Sequence, residues 1–297
     1  MISETPKPPA DRASPLLRER VRTVFKRLPK GLAGDEEAVH EMRVAGRRLR
    51  VAVPLLAKRP DGKRVKRAVR VLRELTRAAG ASRDLDVSLD LLNAYLRGQG
   101  ALSAEVIALR RRLRAARTRS RARMAEALMD LEIARLRRDL RKVLERRADG
   151  LFTILGRIRA TRDQEGQALL AGFEGLGDRY DPVALHALRR QARRLRYTAE
   201  IHDTLMRDEA SNAPRLFKAL QEQIGALHDV HVLAGWLQSQ GRAAAERGQT
   251  ALAEATSALQ AAFEERAREL HRELLATGPT EITSRALAAL GRSRPAA

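Results

Sequence analysis

Two stretches of this chain are copies of one another. Residues 39–50 read VHEMRVAGRRLR and residues 185–196 read LHALRRQARRLR, identical at six of twelve positions. The shared pairs are His40/His186, Arg43/Arg189, Arg47/Arg193, Arg48/Arg194, Leu49/Leu195 and Arg50/Arg196, all at an offset of 146 residues. A second pair follows in the same order: LRELTRAAGASRDLDVSLDLL from Leu72 aligns with FKALQEQIGALHDVHVLAGWL from Phe217, placing Gly80 on Gly225 and Asp84 on Asp229 at an offset of 145. Two motifs kept in order at one spacing mark a duplicated unit. The expected divisions of the 297 residues are a flexible tail over 1–13, a first repeat over 14–150 and a second over 151–297.

Between scattered Pro and Gly, the chain is built largely of Ala, Leu, Arg and Glu, strong helix formers, and no segment reads as a strand. The fold class is therefore all-α. Helices are expected over 14–28, 36–57, 61–79, 83–98 and 102–148, then over 151–175, 181–207, 212–224, 228–240 and 244–276, with a short one after Pro279. Ser14-Pro15, Asp61 after Pro60, and Asp181-Pro182 look like helix starts, because each puts a capping side chain where the first amides lack partners. Pro54 should kink or end the second helix. Short connections make each half a helical bundle.

At about 100° per residue, Arg43, Arg47 and Arg50 fall with His40 inside an arc of about 80° on one helix face. Met42, Ala45, Leu49, Val53 and Leu56 occupy the opposite side, which is free to be buried. The second copy repeats the division, with His186, Arg189, Arg193 and Arg196 on one face and Leu188, Ala192, Leu195 and Ala199 on the other. The helix expected from 61 adds a ridge of Lys63, Lys66, Arg70, Arg73 and Arg77, and the fifth helix adds Arg110, Arg114, Arg117 and Arg121 at similar spacing, though it is basic on other sides too. Residues 39–77 hold 13 Lys+Arg against 3 Asp+Glu, so about half of the chain's net charge of +21 lies in this short segment. Charge so concentrated implies a polyanionic partner.

Guanidinium forks bind phosphate through paired, charge-assisted hydrogen bonds, and a row of them suits a ligand carrying one charge per repeating unit. A histidine beside bound phosphate holds its proton more firmly, so affinity is expected to rise as pH falls through neutrality. Asp84 and Asp229, each following a glycine, are read as helix caps paired with a neighbouring cation. Carboxylate clusters of metal-ligand grade are missing, so no metal and no cofactor are expected. The chain has no cysteine, no apolar run of the roughly 18 residues a membrane span needs and no signal-peptide pattern, which favours a cytoplasmic protein that does not enter membranes. With three Tyr, five Phe and one Trp there is little for stacking on bases, so a nucleic-acid-binding protein is the weaker alternative and a polyphosphate or triphosphate hydrolase weaker still. Oligomeric state and preferred chain length are left open by the sequence.

The two His-x-x-Arg-x-x-x-Arg-Leu-Arg motifs, each followed by a Gly-x-x-(Arg/His)-Asp turn, resemble the CHAD family, the conserved-histidine α-helical domain. The resemblance spans nearly the whole chain. It implies two pseudo-symmetric, antiparallel four-helix subdomains around a central basic cleft or pore that binds inorganic polyphosphate, often on polyphosphate granules. By position, His40, Arg43, Arg47, Arg50, His186, Arg189, Arg193 and Arg196 match the family's basic lining. Many relatives resemble fusions to a triphosphatase domain, whose alternating Glu-x-Glu strand is not present here, so a stand-alone binding module is expected. The 212–224 segment carries only Arg215 and Lys218 where the first copy is densely basic, so unequal contributions from the two halves are expected.

Overall fold

In the computed structural model, which describes residues 10–33, 35–146, 148–206 and 210–291, ten α-helices are found and no strand among those residues. They are α1 (Ala10–Leu32), α2 (Glu36–Leu56), α3 (Lys63–Arg97), α4 (Ala104–Met129), α5 (Ile133–Leu144), α6 (Leu151–Glu174), α7 (Pro182–Met206), α8 (Ala213–Ala245), α9 (Thr250–Ala276) and α10 (Pro279–Gly291). The residues predict five helices in the first half and six in the second and the family resemblance implies four in each, whereas five are found in each half among the described residues. Taken in order, α1–α5 have 23, 21, 35, 26 and 12 residues and α6–α10 have 24, 25, 33, 27 and 13. The helix lengths of the two halves thus run in a similar order.

Local chemistry explains most boundaries. Asp35 caps α2 by accepting from the Ala38 amide at 2.7 Å, and Glu36 and Glu37 lie where the helix dipole favours negative charge. Pro54 stands in the last turn, and α2 stops two residues beyond it. Asp181 caps α7 through the amides of Val183 and Ala184, at 2.8 and 3.1 Å. Two expected caps fail. Ser14 lies inside α1, which begins at Ala10, and its hydroxyl accepts instead from the Ala148 amide at 3.2 Å. α3 begins at Lys63 behind Gly62, with no side-chain cap, and leaves Asp61 outside the helix.

The largest correction concerns Gly80 and Gly225. Both were expected to precede a new helix, yet α3 and α8 run straight through them, so Asp84 and Asp229 are mid-helix residues and not caps. No neighbour lies close enough to require glycine at either position. A single helical glycine costs about 1 kcal/mol, far less than the burial on both sides of it provides. In α3, Leu72 and Leu75 precede Gly80 while Leu89 and Leu92 follow it, all buried. The reverse error affects 102–148, which breaks at residues 130–132. There α5 turns back onto α3, where Arg67 holds Asp139 through two hydrogen bonds of 2.9 and 2.8 Å. Leu136, Leu140 and Val143 of α5 then complete the same core as Leu49, Leu56, Val65 and Leu72.

The cores do not respect the repeat boundary. Ile154 and Ile158 of α6 and Ile201 and Leu205 of α7 pack into the core formed by α1, α2, α3 and α5. Leu89, Leu92, Leu96, Leu109 and Leu113 of the first half join Leu233, Leu237, Leu259 and Phe263 of the second in another. A third is built within α6–α10 around Phe217 and Leu195.

Candidate anion-binding cleft

Burial of one side of each stripe helix fixes its rotation. Met42, Ala45, Leu49, Ala52, Val53 and Leu56 of α2 are buried, as are Leu188, Ala192, Leu195 and Ala199 of α7. α2 and α7 touch. Besides burial, Arg43, Arg193 and Arg189 act to lower Arg47, and Arg189, Arg50 and Arg43 act to lower Arg193, while Tyr197 acts on both in the opposite sense. The two stripes therefore face one another. Beside them opens a cleft of about 1220 Å³, to which Arg47 and Arg50 of α2, Arg73 of α3, Arg157 of α6 and Arg190, Arg193, Arg194 and Tyr197 of α7 contribute.

The arginines divide into two classes. Those of the first class meet a carboxylate inside the fold, in some cases one shared between several arginines. Arg43 donates to Asp84 at 3.3 Å, and its repeat counterpart Arg189 meets Asp229 at 3.8 Å, so the ion pairing expected of both aspartates is present in each copy. Arg48 and Arg196 donate to Glu200 at 3.0 and 3.1 Å, and Arg20 lies 3.7 Å from the same carboxylate, so Glu200 joins α1, α2 and α7. Arg117 donates to Asp86 at 2.6 Å and to Glu36 at 2.7 Å, with Arg121 on the same two carboxylates. Its charge is thus met within the α2–α3–α4 packing.

Arg47, Arg50 and Arg193 form the second class. Among the described residues none of them has a carboxylate within ion-pair distance, although all three are partly buried. Burial and then the neighbouring arginines hold the Arg47 guanidinium well below its ordinary value. The Arg193 guanidinium is pulled down to about 10, chiefly by burial, and burial with Arg73 lowers Arg50. Guanidiniums stay protonated at neutral pH, so the fold confines three like charges at one place with no carboxylate in ion-pair distance of any of them among the described residues, the acidic Asp61 and Glu165 lying elsewhere on the cleft wall.

The stripe histidines lie nearby. His40 is half-buried and His186 exposed; burial, with Arg83 beside the first and Arg190 beside the second, holds both below the usual imidazole range. The His186 ring lies 5.5 Å from that of His228, which burial, Arg189 and His186 push down to about 3.

Of the basic ridge on α3, Arg73 reaches the cleft and Lys63 lines a smaller pocket at the start of the helix. Lys66 and Arg70 are exposed, Arg70 lying 4.0 Å from Glu74, and Arg114 is exposed on α4. Sequence reasoning missed Arg157, Arg190 and Arg194. The last two sit four residues apart beside the stripe, a row the repeat alignment shows only in part. Arg157 carried no signal, because its position depends on α6 crossing the end of α2, where it donates to the Leu55 and Ala57 carbonyls at 3.1 and 2.9 Å. Among the described residues no group of His, Asp and Glu could hold a metal ion, and no helix is long and apolar enough to cross a membrane.

Residues 15–238 match the family model described as the CHAD domain. An uncharacterized protein of Mycobacterium tuberculosis, represented in two strains, is 30% identical over 260 residues, which are 82% of this chain and 48% of that protein. The chain thus spans about half the length of the curated relatives it matches. In fold it is similar to the CHAD domain of the plant Ricinus communis, with a TM-score of 0.58, 22% identity and coverage of 96% of this chain and 92% of that one. It is also similar to PptA from Streptomyces chartreusis, with a TM-score of 0.68, 17% identity and coverage of 90% and 99%.

Proposed function

This chain belongs to the CHAD domain family, and from that premise we propose that it binds inorganic polyphosphate in the cleft beside α2 and α7, without hydrolysing it. The supporting observation is the set of partly buried guanidiniums of Arg47, Arg50 and Arg193, none of which has a carboxylate within ion-pair distance among the described residues, although Asp61 and Glu165 also line the cleft. Confining like charges costs free energy that an anion removes, so the site is complementary to a ligand the protein does not itself supply. Several guanidiniums side by side favour a ligand with closely spaced charges over a single phosphate. Retention by the polymer would associate the protein with polyphosphate granules.

Titration calorimetry tests the reading. Wild-type protein should bind long-chain polyphosphate with micromolar affinity or better, and the triple variant Arg47→Met, Arg50→Met, Arg193→Met should lose at least about tenfold while keeping its helical circular dichroism. If single-stranded nucleic acid displaces polyphosphate at equal phosphate concentration, the ligand class is wrong. Release of orthophosphate in the presence of Mg²⁺ would make the protein an enzyme.

A further inference from the structure

A second basic cavity, of about 280 Å³, lies between the α2–α3 loop and the C-terminal end of α5. Lys58, Arg59, Lys63, Arg64, Lys142 and Arg146 line it, together with Arg67. Two carboxylates border this group. Asp139 is held by Arg67 and lies 3.9 Å from Arg64, and Glu145 pairs with Lys142 at 2.9 Å. Among the described residues Lys58, Arg59, Lys63 and Arg146 have no ion-pair partner, so the cavity carries an excess of positive charge even after its internal pairs are formed. Gly62 opens α3 without a side-chain cap, so the first amides of that helix add their dipole to the same place.

Its position relative to the cleft gives the cavity a role. Pro60 and Asp61 line the cleft, while Arg59 and Gly62, their immediate neighbours in the chain, line the cavity. One turn of backbone separates the two, and consecutive Cα atoms are only about 3.8 Å apart. A flexible polyanion leaving the cleft over the α2–α3 loop therefore reaches the cavity within a few repeating units. A short oligophosphate seated in the cleft does not.

We propose that this cavity is a second anion-binding subsite, which grips a long phosphate polymer where it leaves the cleft and makes binding depend on chain length. The proposal rests on the reading of the cleft as a polyphosphate site. Its contribution should follow from polyelectrolyte physics: each cation meeting the chain releases counterions, and two linked sites bind one polymer more tightly than either does alone.

The test uses tripolyphosphate and long-chain polyphosphate against four proteins: wild type; Lys58→Ala, Arg59→Ala, Lys63→Ala, Arg64→Ala (the cavity variant); the triple cleft variant above; and Arg97→Ala, Arg111→Ala, Arg242→Ala, Arg247→Ala (a charge-matched control). Arg97 ends α3, about 50 Å along the helix from the cavity. The cavity variant should bind the long chain about tenfold or more weakly and tripolyphosphate within about twofold of wild type, whereas the control should match wild type for both. Equal losses for both ligands, or a loss no larger than the control's, would overturn the subsite while leaving the cleft reading intact. Failure of wild type to bind either ligand would overturn the cleft reading itself. Acetylation of the exposed Lys58, Lys63 and Lys142 in wild-type protein gives an answer independent of any variant's folding. Long-chain polyphosphate should protect these lysines and tripolyphosphate should not; reactivity unchanged by the long chain refutes the proposal.

Discussion

Replacing Arg193 by Met removes a charge and keeps most of the side chain's length and apolar contact. In the described structure Arg193 makes no hydrogen bond or ion pair that the change would break. What it does have is an adverse environment, since burial and neighbouring arginines hold its guanidinium at about 10 in place of the ordinary 12.5. At 1.36 kcal/mol per pKa unit, that difference amounts to about 3 kcal/mol of penalty on the charged form. Solvent and mobile ions reach a partly exposed group, and screening reduces the penalty to about 1–2 kcal/mol. The unliganded variant should therefore be more stable than wild type. At roughly 2 °C per kcal/mol for a chain of this size, its Tm should lie about 2–4 °C higher by calorimetry in low-salt, phosphate-free buffer. Tripolyphosphate at 100 times its Kd should raise the wild-type Tm by the equivalent of about 2.7 kcal/mol and raise the variant's much less, so the order of stability reverses on adding ligand. A variant that melts below wild type without ligand would show that Arg193 is a structural residue, and the argument from uncompensated charge would fail.

Four further outcomes follow from the structure. Asp84→Asn with Asp229→Asn frees Arg43 and Arg189 from their internal partners, so polyphosphate affinity measured by calorimetry should rise about 3–10-fold while the unliganded Tm falls; unchanged affinity would place both arginines outside the site. His40 and His186 titrate below 6.5 and His228 at about 3, so the unfolded chain takes up protons that the folded chain refuses, and unliganded stability should decline as pH drops from about 6.5 toward 3. Bound phosphate favours the protonated rings, so the gain in affinity begins below neutrality, at lower pH than the sequence suggested; titrations at pH 6 in buffers of different ionisation heat should reveal proton uptake, and none would refute it. Gly46→Val should destabilise by about 1–3 kcal/mol in urea melts, because even a Cβ there would stand 2.9 Å from Thr76 Cγ2 where α2 crosses α3.

The helix faces and the arginine stripe were legible because each is a property of one helix, set by the spacing of residues along it. Duplication added the expectation that both stripes serve one place, and Arg47 and Arg50 of the first stripe line the same cleft as Arg193 of the second. The assignment of individual arginines was not legible. Arg43, Arg47 and Arg50 are equivalent on a helical wheel, yet Arg43 is matched by an aspartate 41 residues away while the other two are not. Such pairings depend on which turn of a neighbouring helix lies opposite, and no local pattern encodes that. Gly80 and Gly225 misled for a related reason: a local preference of about 1 kcal/mol is overridden when leucines on both sides of the glycine are buried by one continuous helix.

The interleaved cores have a consequence for how this protein can change over evolutionary time. In the present chain, cutting near residue 150 would strip Ile154, Ile158, Ile201 and Leu205 from one half's interior and leave Leu89 and Leu92 without Leu233 and Leu237. Both of these shared interiors would be opened, although the core within α6–α10 would survive, so the fusion works as a ratchet. Each repeat is free to diverge in its surface charges, as the sparse 212–224 segment has, while the loss of either one is closed off.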